Sequence, residues 1–501
     1  MTINDAPPLD EKSAGAISKS GPGTTYYVDS TAGDDTQAGT SADRAWKTLD
    51  KINALEFLPG DRILFRRGRT FSGTFAPTGS GTADRPIVAA SYGSGAKPVI
   101  DGGGTAAAIF LHNVDGWELR DLDVTNFGQE PASEQQQRAG VFVLIEDFGV
   151  GRNYLVSDVD VHDVNGPDVL EPIPSGGIIF VAGGKSVPTG FDGITVRNCT
   201  VSRVDRMGIC TQSLWSVRPV NPSGRGTAYM PMTNVVIQHN RLEETGGDGI
   251  MLNNGVGALV EHNVLDGFGG NARSGSVVGM YGFNCDQGVF RHNRVSNGKK
   301  NSMAFDIETG NSATVYEYNH TYHNNGGFLL ACNDPDSKAD DAVIRYNVSV
   351  DDRDGDGNFP VAVITLACGV TTNLRIHNNT FYAPNTTKMV NNIEGTAAEF
   401  TNNIFFGRKE GSTINDPHGV YRNNLYHNVV FEQGGDSEAV NADPLLVVPD
   451  DALPADDRWS GRLRPGSPAW RAAAPPPPNG GGEHAGKPRH IGAYQGEPET
   501  P

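Results

Sequence analysis

Apolar residues in this chain come in short runs, and few of them keep a helical period. One frame recurs through the middle and the end. An apolar or aromatic residue is followed by two residues, then Asn, then often another apolar side chain within two positions. It reads IQHNRL, VEHNVL, FRHNRV, YEYNHT, IRYNVS, IHNNTF, FTNNIF and YRNNLY. The framed asparagines are Asn240, Asn263, Asn293, Asn319, Asn347, Asn379, Asn403 and Asn424. Their spacing averages about 26 residues, inside the window that marks solenoid repeats. Upstream, Leu122, Val159 and Cys199 fill the same slot at wider steps, so the early coils carry longer insertions. A second apolar run follows each frame, as in GIIFVA, MGICTQ, DGIMLN, SMAFDI, GGFLLA and AVITLA. These runs are strand-length and have no 3.6-residue period. Each unit is therefore expected to be two or three short strands joined by Gly, Asn and Asp turns. Such a coil cannot bury its own apolar face, whereas stacked coils can, through parallel strand pairing. The framed asparagines are expected to be structural, each amide bonding the turn of the next coil.

The two ends carry further motifs. Tyr26-Tyr27-Val28-Asp29, Gly33-Asp34-Asp35, Ala45-Trp46-Lys47-Thr48-Leu49 and Leu58-Pro59-Gly60-Asp61 lie near the start. Asp443-Pro444-Leu445, Arg464-Pro465-Gly466-Ser467 and Ile491-Gly492-Ala493-Tyr494 lie near the end. With the repeat, they give the chain a form that resembles the pectate-lyase-like superfamily of right-handed parallel β-helices over about residues 24–495. The resemblance implies an all-β, single-stranded parallel β-helix solenoid with a short N-terminal capping helix. It implies a carbohydrate-active protein without fixing the activity, because one fold hosts many functions. Where that family usually has acidic residues around its IGAY segment, this chain has His490 and Gln495. Residues 1–23 are polar and expected to be disordered. Residues 24–495 form the β-helix domain, with 471–490 a Pro/Gly-rich loop and 496–501 a tail. Residues 45–58 read as one amphipathic capping helix.

The chain has 501 residues, with 40 Lys and Arg against 59 Asp and Glu, for a net charge of −19. That excess disfavours nucleic-acid binding, which needs clustered cations. No apolar run approaches the ~18 residues of a membrane span. The first residues show no signal-peptide pattern, so the compartment is left open, and only the resemblance favours an extracellular one. Monomer and homo-oligomer are both left open. Five cysteines, Cys199, Cys210, Cys285, Cys332 and Cys368, with no CxxC pair, are expected to be buried free thiols rather than a disulfide framework.

Candidate chemistry centres on Ala304-Phe305-Asp306-Ile307-Glu308. The alternation places Asp306 and Glu308 on one face of a strand. Aligning the second apolar runs stacks Asp306 with Met251, Leu329 and Thr365. It stacks Glu308 with Gln212, Asn253, Ala331 and Ala367. A carboxyl in a partly covered slot would have a raised pKa, as a general acid needs. Turns that line up along a solenoid bring Asp248, Lys300 and His323 into the catalytic set. The same reasoning makes Asp205, Arg206, Glu244, Asn253 and Tyr322 candidate sugar contacts. Asp352, Asp354 and Asp356, followed by Gly357, match the first half of a calcium loop, although Val363 stands where a twelfth-position Glu ligand is expected. Calcium is thus a candidate cofactor, and no organic cofactor is expected. Neither HExxH nor GxSxG occurs.

Three readings follow. The leading one is a glycoside hydrolase with paired carboxylates in a groove along the coils, acting on a polysaccharide or oligosaccharide. The second is a polysaccharide lyase for a uronate polymer, with Lys300, Arg206 or Arg353 as base and calcium at the Asp352 loop. The third is a non-catalytic, adhesin-like sugar-binding solenoid.

Overall fold

The structure, a computed structural model of the chain, describes residues 23–130, 136–169, 173–271, 277–355, 362–447, 461–475 and 489–496. The stretch expected to be disordered falls almost wholly outside these residues, as do most of the 471–490 loop and of the tail. Two compact units are present, Met1–Gln212 and Ser213–Pro501. Each is a parallel β-helix, as the sequence repeat predicts, of the right-handed kind that the resemblance implies.

In the first unit, one sheet begins with Thr25–Val28 and Arg62–Arg66 and ends with Val150–Ser157 and Gly190–Arg197, its strands paired in parallel. A second sheet runs from Thr70–Ser72 to Thr200–Val204, and a third contains Ala107–His112, Ala139–Glu146 and Gly176–Gly183. The expected helix over 45–58 is much shorter. A 3-10 turn covers Ala42–Arg44 and an α-helix only Leu49–Asn53, capped by the Thr48 hydroxyl accepting from Lys51 N. Ala45 and Trp46 stay extended, because Trp46 bridges Val28 and stacks on Tyr26 at 4.7 Å. Pro59 and Gly60 then end any helical tendency before the next strand.

In the second unit, each coil supplies three strands. The sheets run from Met232–Gln238 to Val420–Arg422, from Arg241–Thr245 to Val440–Asn441, and from Ile250–Asn253 to Val429–Gln433. The core is built from side chains stacked in register, such as Met280, Phe305, Leu329, Ile364 and Val390, all fully buried. Full burial of each such side chain is worth roughly 1.5–3 kcal/mol.

The asparagine ladder is present along the turn between the first and second sheets. Asn293 donates its backbone N–H and its Nδ2 to Asn319 Oδ1 at 2.9 and 3.1 Å. Asn319 does the same to Asn347 at 2.9 and 3.0 Å, and its Nδ2 also bonds the Phe290 carbonyl at 2.9 Å. The pattern runs from Asn240 to Asn424, where Asp436 Oδ2 accepts both donors at 3.0 Å and ends it. All eight asparagines are at most 2% exposed. The residue before each is in the left-handed region, for example Tyr318 at φ 54 and Asn378 at φ 53. That single residue turns the chain while the Asn holds the coil above.

The C-terminal segment folds back on the second sheet, where Leu446, Leu463, Ala469 and Ile491 pack with Val348, Ile404 and Leu425. His490 and Gln495, which stand where the resemblance leads one to expect acidic residues, hold this segment together. His490 Nδ1 accepts from Arg471 N at 2.9 Å and its ring stacks on Trp470, while Gln495 bonds backbone groups of Arg489, His490 and Gly492.

Cys199, Cys210 and Cys285 are buried free thiols, as expected. Cys332 and Cys368 correct that expectation by forming a disulfide, with their Cα atoms 4.8 Å apart. They lie 36 residues apart in sequence, but the parallel register puts Cys332 opposite Ala367, next to Cys368.

Candidate active site

The strand Ser302–Glu308 lies in the third sheet of the second unit. Phe305 and Ile307 point into the core, where Phe305 meets the rings of Tyr316 and Phe328. Strand alternation turns Asp306 and Glu308 to the opposite face. The register there differs from the expected one by a residue on one side. Asp306 pairs with Tyr281 and with Leu330, not Leu329, and Glu308 pairs with Cys332, not Ala331. The turn leading into Leu329–Cys332 sets this offset. Gly327 in it has φ 105, and a Cβ there would lie 2.1 Å from the Ala362 carbonyl oxygen. Met251 and Thr365 do fall in the Asp306 row, and Ala367 in the Glu308 row, as expected.

Asp306 is 1% exposed, and its Oδ1 has no hydrogen-bond partner among the described residues. Burial, with the nearby charges of Glu308 and Asp248, holds its carboxyl well above the usual carboxylate range. Glu308 is half-buried at the strand end. Its Oε1 accepts from Thr309 N at 2.8 Å and from the Thr309 hydroxyl at 2.9 Å. Burial pushes its pKa up to about 7 against those two bonds, and the charges of Asp334 and Asp248 add to the rise. Asp248, 3% exposed, has its Oδ1 held by Val278 N at 2.7 Å. Asp248, Asp306 and Glu308 thus form one electrostatic group. Asp334, which the sequence reading missed, joins it from the turn after Leu329–Cys332. It follows no strand alternation, so no periodic signal marks it.

The other sequence candidates stand elsewhere. Lys300 is exposed in the turn before the Asp306 strand. His323 is exposed on the second-sheet side and lies 3.8 Å from Asp351. Glu244 is exposed on the second sheet. Tyr322 is also on that sheet, with Arg294 over its ring at 5.1 Å and bonded to its hydroxyl at 3.1 Å. Asn253 is buried at the end of Ile250–Asn253, two coils before Glu308 in the same sheet. Asp205 and Arg206 belong to the first unit. There Asp205 accepts from Gly166 N at 3.1 Å, and Arg206 is buried 3.3 Å from Asp168.

The Asp352 loop is also placed differently from its expectation. Asp352 is fully buried, and its carboxylate takes Asn324 N at 3.0 Å, Asn324 Nδ2 at 2.8 Å, Ser349 Oγ at 2.7 Å and the Thr321 hydroxyl. It ties one turn to the next, as the ladder asparagines do. Asp354 bonds Thr387 instead, and Asp356 lies outside the described residues. No cluster of three metal-ligating His, Cys, Asp or Glu side chains occurs among the described residues.

Burial raises the Asp352 pKa to about 6. A carboxyl raised in the folded state binds its proton more tightly there than in the unfolded chain. Its stabilising contribution is therefore complete below the unfolded value near 4 and is lost as pH climbs through about 6. Asp352→Asn keeps an acceptor for Asn324 and supplies donors for Ser349 and Thr321. It is expected to raise stability at pH 8 by roughly 1–3 kcal/mol and to flatten the slope between pH ~4 and ~6. Thermal unfolding across that range checks it.

Comparison with known proteins bears on this geometry. No family model matches the chain. The chain is similar to the lacto-N-biosidase of Bifidobacterium longum subsp. longum, at 28% identity over 520 residues. The match covers 85% of this chain and 32% of that protein, so the chain spans about a third of its curated relative. Among solved structures, the GH136 lacto-N-biosidase from Eubacterium ramulus, in native and selenomethionine forms, matches with TM-score 0.61 at 23% identity. That match covers 83% of this chain and 68% of the other, and it shows a shared fold. The parallel β-helix expected from the sequence is borne out.

Proposed function

We propose that the chain is a glycoside hydrolase with Glu308 as its proton donor. The observation that carries this is a half-buried carboxyl held near pH 7 on the face of the sheet opposite the core, within the field of two further acids. A donor of that pKa is protonated at the start of the reaction and gives up its proton readily. Glu308 passes its proton to the glycosidic oxygen as the anomeric carbon–oxygen bond breaks. Asp248 takes the second carboxylate role, on the anomeric carbon or on the attacking water. The Val278 N–H donates to its Oδ1 at 2.7 Å and fixes the side chain in place. Asp306 is buried beside Glu308, with its carboxyl held well above the usual carboxylate range.

The sequence similarity to a protein named lacto-N-biosidase supports the same reading and suggests lacto-N-bioside glycosides as the first substrates to try. The cations that a lyase would use as base stand less favourably. Lys300 is exposed, Arg353 pairs with Asp351, and Arg206 lies beside Asp168.

The test is incubation of the protein with an aryl lacto-N-bioside and a panel of neutral and uronate-containing oligosaccharides. Release of reducing ends without unsaturated products is expected. Unsaturated products, or binding without turnover on every glycan, would overturn the proposal.

A further inference from the structure

Among the described residues, two hydrogen bonds reach the Glu308 carboxyl, and both come from one residue and go to one oxygen. Thr309 N and Thr309 Oγ1 both donate to Oε1. The direction of the hydroxyl is set from its other side, because Asp334 N donates to Thr309 Oγ1 at 3.0 Å. With that lone pair taken, the hydroxyl hydrogen is free to point at Glu308. Thr309 is fully buried, and its own carbonyl accepts from Asn284 N at 2.8 Å, so its backbone is pinned as well.

We propose that Thr309 is the positioning residue of this site, fixing Oε2 of Glu308 as the oxygen that carries and delivers the proton. An oxygen that already accepts two donors is a poor place for a proton, so the neutral carboxyl protonates on Oε2. When that proton leaves for the glycosidic oxygen, the electron pair of the breaking carbon–oxygen bond goes to the departing group. Glu308 is left as a carboxylate. The two Thr309 donors then face a full negative charge, and they strengthen as that charge develops. Thr309 would thus orient the acid before the reaction and stabilise its conjugate base during it. The inference rests on the hydrolase reading for its catalytic consequence, but the carboxyl–Thr309 pair stands on geometry alone.

The groups that set the charge around Glu308 are Asp306 on its own strand, Asp248 from the turn before Ile250–Asn253, and Asp334 from the turn after Leu329–Cys332. Cys332, its register partner, is held in the disulfide and carries no charge. Burial and the charges of Asp334 and Asp248 raise the pKa, while Thr309 is the group that lowers it. Removing the hydroxyl must therefore move the pKa of Glu308 upward.

The variants are Thr309→Val, which keeps the shape and loses the hydroxyl, and Thr309→Ser, which keeps the hydroxyl. Thr309→Ala replaces the valine variant if that does not fold. Thr309→Val is expected to lower kcat by about tenfold or more with little change in KM, as loss of a charge-assisted bond implies. It is also expected to move the alkaline limb of kcat/KM upward by roughly one pH unit. Thr309→Ser should keep both properties. A carbon NMR titration of the Glu308 carboxyl, assigned against Glu308→Gln, reads the same shift without any substrate. Coincident titration curves for wild type and the hydroxyl-free variant would overturn the inference, as would a serine variant that behaves like the valine one. An inactive wild type whose Glu308 titration still shifts in Thr309→Val would retain the Thr309 pair and overturn the hydrolase reading alone.

Discussion

Glu308→Gln is expected to lower hydrolysis of an unactivated oligosaccharide by roughly 10²–10⁴-fold, the usual contribution of a positioned general acid. Glutamine keeps the shape of the side chain, and its carbonyl oxygen can still accept from Thr309. The fold should therefore survive, and so should substrate affinity. What is lost is the transferable proton. A leaving group that departs without protonation should feel the loss much less, so a dinitrophenyl glycoside is expected to retain most of its rate with the variant. Comparing the two substrates separates proton donation from a general disturbance of the site. Equal losses on both would argue that Glu308 acts in binding or structure and not as the acid.

Asn319→Ala is expected to destabilise the second unit by roughly 2–4 kcal/mol. Its side chain accepts two donors from Asn293 and donates to Asn347 Oδ1 and to the Phe290 carbonyl. Alanine leaves the two Asn293 donors without that acceptor in a place water does not reach, since Asn293 and Asn319 are each 1% exposed. Buried donors without partners carry most of the cost. The ladder lies on a different turn from Glu308, so activity in the folded fraction should be unchanged. Chemical unfolding followed by circular dichroism measures the loss, and an unchanged midpoint would contradict the stacked-turn account.

These two residues show what the chain makes legible. Asn319 sits in a slot whose geometry repeats at every coil, so the same residue type recurs and the repeat reads directly from the sequence. Asp306 and Glu308 were legible for a similar reason, since a period of two on a strand fixes which face they share. Features that depend on turn length were not. The turn into Leu329–Cys332 has no marker for its length, and a one-residue error there put Ala331 where Cys332 stands. Two consequences were hidden with it. The disulfide to Cys368 needs that register, and Thr309 and Asp334 meet Glu308 only once both turns are in place. The role of Asp352 was hidden in a different way. Alternate acids in a Gly-containing turn resemble a cation loop, whereas the inward-facing carboxylate of Asp352 also serves as a ladder rung that takes four donors.

The pH dependence of kcat/KM for the wild-type protein on a lacto-N-bioside glycoside tests the central claim most directly. On the proposed reading the free enzyme must hold a proton on Glu308 to act, and burial pushes that carboxyl up to about 7. Activity is expected to fall above neutrality with a single-proton slope, while Glu308→Gln shows a flat alkaline side at its low residual rate. A wild-type rate that stays level well into the alkaline range, or a limb that persists unchanged in Glu308→Gln, would contradict the assignment of Glu308 as the proton donor.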